Sequence, residues 1–224
     1  MLEKNSIWND SIPNMDMSEM QYRIHCQEKR KLRSVCMCQP LSKIRYMSSL
    51  ELLEYCGQKD AIPLDLGTML NKLGVSCLAF DFTEIENEVS AKTGNKIESI
   101  LGALVVNQNN AAIFYRHNDK PESHRHRFTI AHEIAHCCLG HFDISAETSV
   151  HLRQEGDPSD DNEKAANIFA GELLIPEHSL RRVIKELILP SVITLANVFA
   201  VSENVMRARL EHLRICDNIF GYNS

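Results

Sequence analysis

Residues 127–141 read RFTIAHEIAHCCLGH, and this stretch decides how the rest of the chain is interpreted. His132, Glu133 and His136 stand in an HExxH spacing. On an α-helix, residues four apart point within about 40° of each other, so both imidazoles can reach one metal ion. Glu133 is turned by about 100° from His132, which places it to contact a water beside the ion and not to bind the ion itself. The stretch predicts the helix of a metal-dependent hydrolase.

The residues around this motif favour a functional site over a chance match in a chain with ten histidines. A helix with apolar residues on most sides is buried. Burying two imidazoles and a carboxylate there costs free energy unless they share a partner, and a metal ion would be such a partner. The apolar neighbours are Phe128, Ile130, Ala131, Ile134, Ala135, Cys138 and Leu139.

A catalytic zinc site normally has three protein ligands and one open position, so a third ligand is needed. His141 is excluded because it is rotated by about 140° from His136 around the helix axis. The metzincin pattern is excluded as well, since Leu139 and Phe142 occupy the positions of its glycine and third histidine. The candidates further along the chain are His151, Asp157, Asp160, Asp161, Glu163, Glu172 and Glu177.

Glu163 is the better candidate among these residues. It shares one helical face with Ala166, Asn167 and Ala170, and the small side chains would let this helix approach the HExxH helix closely. An acid in the first turn of a helix is also favoured by the helix dipole, without any metal. Spacing alone leaves both interpretations of Glu163 open.

Together with EKAANIFAGELLIP at 163–176, the HExxH stretch resembles the ImmA/IrrE family of zinc metallopeptidases. The family pattern is roughly RFTxAHExxH followed by ExxANxFAxxLLxP. The segments 62–82 and 195–213 also resemble the opening and the tail of these proteins, so the resemblance covers roughly residues 60–214.

This resemblance implies zinc held by His132, His136 and Glu163, with Glu133 as the general base. It also implies a sheet packed against the active-site helices. Proteins of this family typically inactivate a helix-turn-helix repressor by cutting it, in stress or mobile-element responses. A zinc endopeptidase acting on such a repressor is therefore expected. The resemblance does not cover residues 1–47.

Local patterns predict an α+β fold, with a zincin-like helical core and a C-terminal helical tail. Strand-like runs at 75–82, 100–107 and 111–117 predict a small antiparallel three-stranded sheet, with a hairpin turn at QNN. Helices are predicted at 48–57, 62–74, 124–139, 161–174, 177–188, 192–200 and 203–214. The predicted domains are a basic N-terminal arm (1–47), a metallopeptidase domain (48–188) and a helix-turn-helix-like segment packed on it (189–224).

Charge argues against nucleic acid as the main partner. Residues 22–46 carry a net charge of +6, and the whole chain carries −6. The rest of the chain therefore has a net charge of −12. The tail still offers Arg207 and Arg209 as possible DNA contacts. The alternative function is a non-catalytic, zinc-bearing regulatory protein that binds a repressor or DNA. With no apolar run long enough for a membrane span and no signal pattern, a cytoplasmic location is expected.

Overall fold

The structure is a computed structural model, and it describes residues 43–94, 99–107, 110–116, 123–142, 149–154 and 160–215. None of the helices in these ranges is both long and apolar enough to cross a membrane. The elements in chain order are α1 (Ser49–Cys56), α2 (Leu66–Leu73), β1 (Val75–Phe80), α3 (Thr83–Thr93), β2 (Ile100–Asn107), β3 (Asn110–Arg116), α4 (His124–Leu139), β4 (Ser149–Gln154), α5 (Asp161–Leu174), α6 (Glu177–Glu186), α7 (Val192–Phe199) and α8 (Glu203–His212).

The first predicted helix is confirmed, and local capping explains its ends. Ser48 and Glu51 form a capping box at the start of α1, in which the Ser48 backbone N–H donates to Glu51 Oε2 at 2.8 Å. Gly57 ends the helix in the left-handed region, at φ 71°. The second helix begins three residues later than Pro63 suggested, because Asp65 caps α2 by accepting from the Thr68 N–H at 2.9 Å.

The prediction of a three-stranded antiparallel sheet is wrong both in the number of strands and in their directions. The described sheet has four strands in the order β1-β3-β2-β4. Strand β1 pairs parallel to β3, whereas β2 is antiparallel to both β3 and β4. The hairpin of β2 and β3 is present, and the two residues between these strands (108–109) lie outside the described residues.

Helix α3 accounts for the parallel pairing. It follows β1 and connects that strand to the hairpin, so β1 joins the sheet beside β3 and not beside β2. A parallel neighbour requires such a crossover connection, which the sequence interpretation did not include. The fourth strand lies in the segment between α4 and α5, where the sequence patterns predict neither a helix nor a strand.

Both faces of the sheet are covered, which explains the continuous apolar runs of β2 and β3. Leu104 and Ile113 point into the main core, which they share with α1, α2, α4, α5 and the C-terminal helices. Val105 and Phe114 point to the opposite face, where they pack in a smaller core with Phe82 beside α3. The sheet therefore stands between α3 and the larger helical layer.

The segment before α1 and the C-terminal helix α8 also pack on this core. Ile44 is 3% exposed within the main core, and the Tyr46 N–H donates to the carbonyl of Cys138 at the end of α4. In the tail, the Arg209 side chain is 7% exposed and its Nε donates to the Ile175 carbonyl at 3.1 Å. This burial removes Arg209 from the residues that could contact DNA.

Candidate metal centre

The HExxH residues lie on the most buried stretch of α4. Ser123 caps this helix by accepting from the His126 N–H at 3.1 Å, and Gly140 ends it with φ 74°. The helix spans 124–139, as predicted, and every residue from 129 to 138 is buried. His132, Glu133 and His136 are each no more than 1% exposed, so they have almost no contact with bulk solvent.

The donor atoms of His132, His136 and Glu163 converge on one point. His132 Nε2 lies 3.0 Å from His136 Nε2 and 3.1 Å from Glu163 Oε2, and His136 Nε2 lies 3.3 Å from Glu163 Oε1. Ligands bound tetrahedrally at the usual zinc distances of about 2.0–2.1 Å are separated from each other by about 3.3 Å. The spacing and the chemistry of these three donors therefore fit a zinc ion.

Close packing of two helices brings Glu163 to the histidines. Ala166 and Ala170 are fully buried where α5 lies against α4, and their small side chains permit the close approach. The structure thus places the Glu163 carboxylate against both imidazoles. Its position in the first turn of α5 still suits the helix dipole, so the two interpretations of Glu163 are compatible.

The second nitrogen of each candidate histidine ligand has its own polar partner. His132 Nδ1 lies 2.9 Å from Asn167 Oδ1, which requires the imidazole to donate from Nδ1. His136 Nδ1 lies 3.1 Å from His141 Nδ1. His141 therefore meets the far side of His136 and not the donor atoms, in agreement with its exclusion as a ligand. Such contacts select the tautomer that leaves Nε2 free to bind a metal.

His151 is one of the predicted candidates for a third ligand, but its contact with Glu163 was not predicted. Strand β4 brings it against Glu163, with Nε2 2.9 Å from Oε1. Its ring stacks on His136 with a centroid distance of 3.8 Å. The sequence of β4, SVHLRQ, alternates polar and apolar residues, which is the pattern expected of a strand with two different faces. This pattern could have predicted the strand that carries His151.

The other candidates for a third ligand have partners away from the converging donors. Asp157 lies outside the described residues. Asp160 caps α5 by accepting from the Asn162 N–H, and Asp161 pairs with Lys164 on the surface. Glu172 accepts from Ser49 and faces Arg209 at 3.5 Å, and Glu177 pairs with Arg181 at 2.7 Å. Each of these acids has a structural partner away from the HExxH helix.

Glu133 is fully buried, and neither of its carboxylate oxygens has a hydrogen-bond partner among the described residues. The nearest charged group is His151 Nδ1, at 3.6 Å from Oε2. Burial by itself favours the neutral acid, but His151, His132 and His136 lower the pKa of Glu133 below its usual value. Glu133 is therefore an ionised carboxylate with free acceptor sites beside the three converging donors.

Burial and neighbouring charges shift the pKa values of His136, Glu163 and His151 as well. Burial lowers the pKa of His136 to about 4, so its imidazole is neutral at pH 7, as a metal ligand must be. Burial opposes ionisation of Glu163, yet the three facing imidazoles hold its pKa well below the usual range. For His151, burial is outweighed by Glu133 and Glu163, which raise its pKa to about 9.

The buried HExxH helix and the glutamate that faces both histidines from the next helix form the arrangement expected of a zincin-like metallopeptidase. The family model of the IrrE N-terminal-like domain, peptidase family M78, matches residues 91–211. That range is more than half of the chain and contains the whole candidate centre, so the chain belongs to this family of zinc-dependent peptidases. No curated protein and no solved structure matched the chain.

Proposed function

We propose that this chain is a zinc-dependent endopeptidase, with His132, His136 and Glu163 as the zinc ligands and Glu133 as the general base. One observation carries the catalytic part of the proposal. Glu133 is fully buried, and among the described residues its oxygens accept no hydrogen bond, while His151 Nδ1 lies 3.6 Å from Oε2. Such a group is costly to keep in a protein that only binds its partner, whereas a hydrolase needs it to take a proton.

Zinc, when bound, would polarise the scissile carbonyl and lower the pKa of a water towards about 7. The role of Glu133 follows from its own geometry. Its free oxygens accept a proton from the attacking water, which then forms a bond to the carbonyl carbon. Glu133 next delivers that proton to the amide nitrogen as the C–N bond breaks, so the carboxylate is restored at the end of each turnover.

The proposed substrate is a helix-turn-helix transcriptional repressor, cut as part of a regulatory or mobile-element response in the cytoplasm. Its support is the resemblance to the ImmA/IrrE proteins, which typically inactivate such repressors. The alternative is sequestration, in which a zinc-bearing protein binds the repressor or DNA without cutting. The buried Arg209 weakens the DNA alternative, because one of its two suggested contact residues is inaccessible.

The test compares wild-type protein with Glu133→Gln, using a helix-turn-helix repressor encoded beside this gene as the substrate. Both proteins are loaded with zinc, mixed with the repressor, and followed for complex formation and for repressor length. We expect cutting by the wild type alone, because glutamine cannot accept the proton. A chelator should abolish the cutting.

Two results would argue against the proposal. Equal binding of the repressor by both proteins, with no shortening in either, supports sequestration. A shift of duplex DNA that weakens steeply with salt and ignores the state of Glu133 supports a DNA-binding module. Cell extract is added to a parallel wild-type sample, so that a missing activator does not hide cleavage.

A further inference from the structure

His151 touches both acidic side chains of the candidate metal centre. Its Nε2 lies 2.9 Å from Glu163 Oε1, and its Nδ1 lies 3.6 Å from Glu133 Oε2. We propose that His151 is a positioning residue, which holds the carboxylate of Glu163 in the orientation that binds zinc and keeps Glu133 beside it. This inference rests on the proposed function.

The pairing of β4 with β2 delivers His151 to this place. In the pairing of β4 with β2, His151 stands beside Leu104, while Gly102 on β2 lies against Glu133. The ring also stacks on His136. His151 is thus held by the backbone of β4 and by a ring contact, whereas Glu163 lies in the first turn of α5.

The contacts form a complete set, in which each candidate ligand has one outer partner. Asn167 contacts His132, His141 contacts His136, and His151 contacts Glu163. Metal-binding carboxylates and imidazoles generally have such partners, which fix the orientation of the donor atoms. The three zinc donors are already supplied by other residues, so the hydrogen bond to Glu163 is the role that the geometry gives to His151.

Loss of this contact should leave Glu163 free to rotate away from the histidines. Removing an outer partner of a metal ligand typically weakens metal affinity by about 10–100-fold. We therefore expect His151→Ala to bind one zinc with an affinity lower by about this factor. His151→Gln should bind zinc nearly as tightly as wild type, because the glutamine amide nitrogen can replace Nε2 as the donor to Glu163.

The experiment measures zinc affinity by competition with a chromogenic chelator for the full chain, its two His151 variants and His178→Ala. His178 is a matched control, because it is a partly exposed histidine whose Nε2 contacts the Lys59 carbonyl and the Asp60 carboxylate instead of the candidate ligands. The visible spectrum of the cobalt-loaded proteins is recorded alongside. A positioning role predicts the same cobalt spectrum for wild type and His151→Gln, since the ligand set is unchanged.

Unaltered zinc affinity in His151→Ala would overturn the proposal. A changed cobalt spectrum and weak zinc binding in His151→Gln would overturn it as well, because they would make His151 a ligand. Failure of the proposed function has a different signature, namely a wild-type protein that binds no zinc or cuts no repressor. A folded His151→Ala protein, checked by circular dichroism, is required before its affinity is compared.

Discussion

Asn167 Oδ1 lies 2.9 Å from His132 Nδ1. Asn167 stands one helical turn after Glu163 on α5. Helix α5 therefore supplies both a candidate ligand and the partner that orients another. We predict that Asn167→Ala weakens zinc binding by about 10–100-fold, because the His132 imidazole loses its acceptor. Asn167→Asp keeps an acceptor and should bind zinc well. Chelator competition measures both, with the exposed Ile168→Ala as the control, and equal affinities for Asn167→Ala and wild type would contradict the role.

Zinc should stabilise the folded chain. Binding to the native state alone adds about 4 kcal/mol to the free energy of unfolding when free zinc is a thousand times the dissociation constant. We expect one zinc per chain by mass analysis and a higher melting temperature with zinc than with a chelator. His132→Ala, His136→Ala and Glu163→Ala should each reduce zinc occupancy. Full occupancy in Glu163→Ala would disprove its assignment as a ligand.

Gly102 permits the close approach of β2 to the HExxH helix. A Cβ atom at this position would lie 2.6 Å from Thr129 Cγ2 and 3.7 Å from Glu133 Oε1. We predict that Gly102→Ala lowers the free energy of unfolding by about 1–3 kcal/mol, since the helix or the strand must shift. Gly171→Ala is the control, because no atom lies within 4 Å of its added Cβ. Urea unfolding measures the stability of both variants. Similar free energies of unfolding would contradict the prediction, because they would mean that the structure accommodates the added Cβ without cost.

Residues 43–47 should stabilise the peptidase domain, although the proposed boundary falls after them. Ile44 is 3% exposed in the main core. We predict that Ile44→Ala lowers the free energy of unfolding by about 2–5 kcal/mol, whereas the same substitution at Ile193, which is 57% exposed, has little effect. A chain beginning at Ser48 should melt at a lower temperature than one beginning at Lys43. Equal melting temperatures would place the boundary at residue 47.

The fully buried thiol of Cys138 and the partly buried thiol of Cys77 should react slowly. Burial raises the pKa of Cys77 and of Cys138 to about 12, so at pH 8 each has about a thousandth of the thiolate of a thiol with pKa 9.0. Because the thiolate is the reactive form, alkylation of the folded protein by iodoacetamide should be slow and should accelerate about tenfold per pH unit. Peptide mapping follows each cysteine, with urea-unfolded protein as the reference. Equal rates in the folded and unfolded protein would contradict the prediction.

Local signals allowed much of the helical structure to be predicted. The predicted helices 48–57 and 62–74 agree with the structure at Ser48, Gly57 and Gly74, because each of these residues caps a helix through its near neighbours in sequence. The HExxH spacing likewise places two imidazoles on one helical face through geometry internal to α4. These properties depend on contacts within a few residues along the chain, and such contacts can be deduced from the order of the amino acids.

Long-range pairing decided the remainder. Whether β1 joined β3 or β2 depended on the crossover through α3, and the edge strand β4 is stabilised by its pairing with β2. The same pairing carries His151 to the two carboxylates, a contact between residues 12 and 18 positions apart in sequence. The sequence alone determined the HExxH helix and the family. Only the tertiary structure decided which side chains surround that helix, because the burial and strand pairing that bring them together are properties of the assembled core.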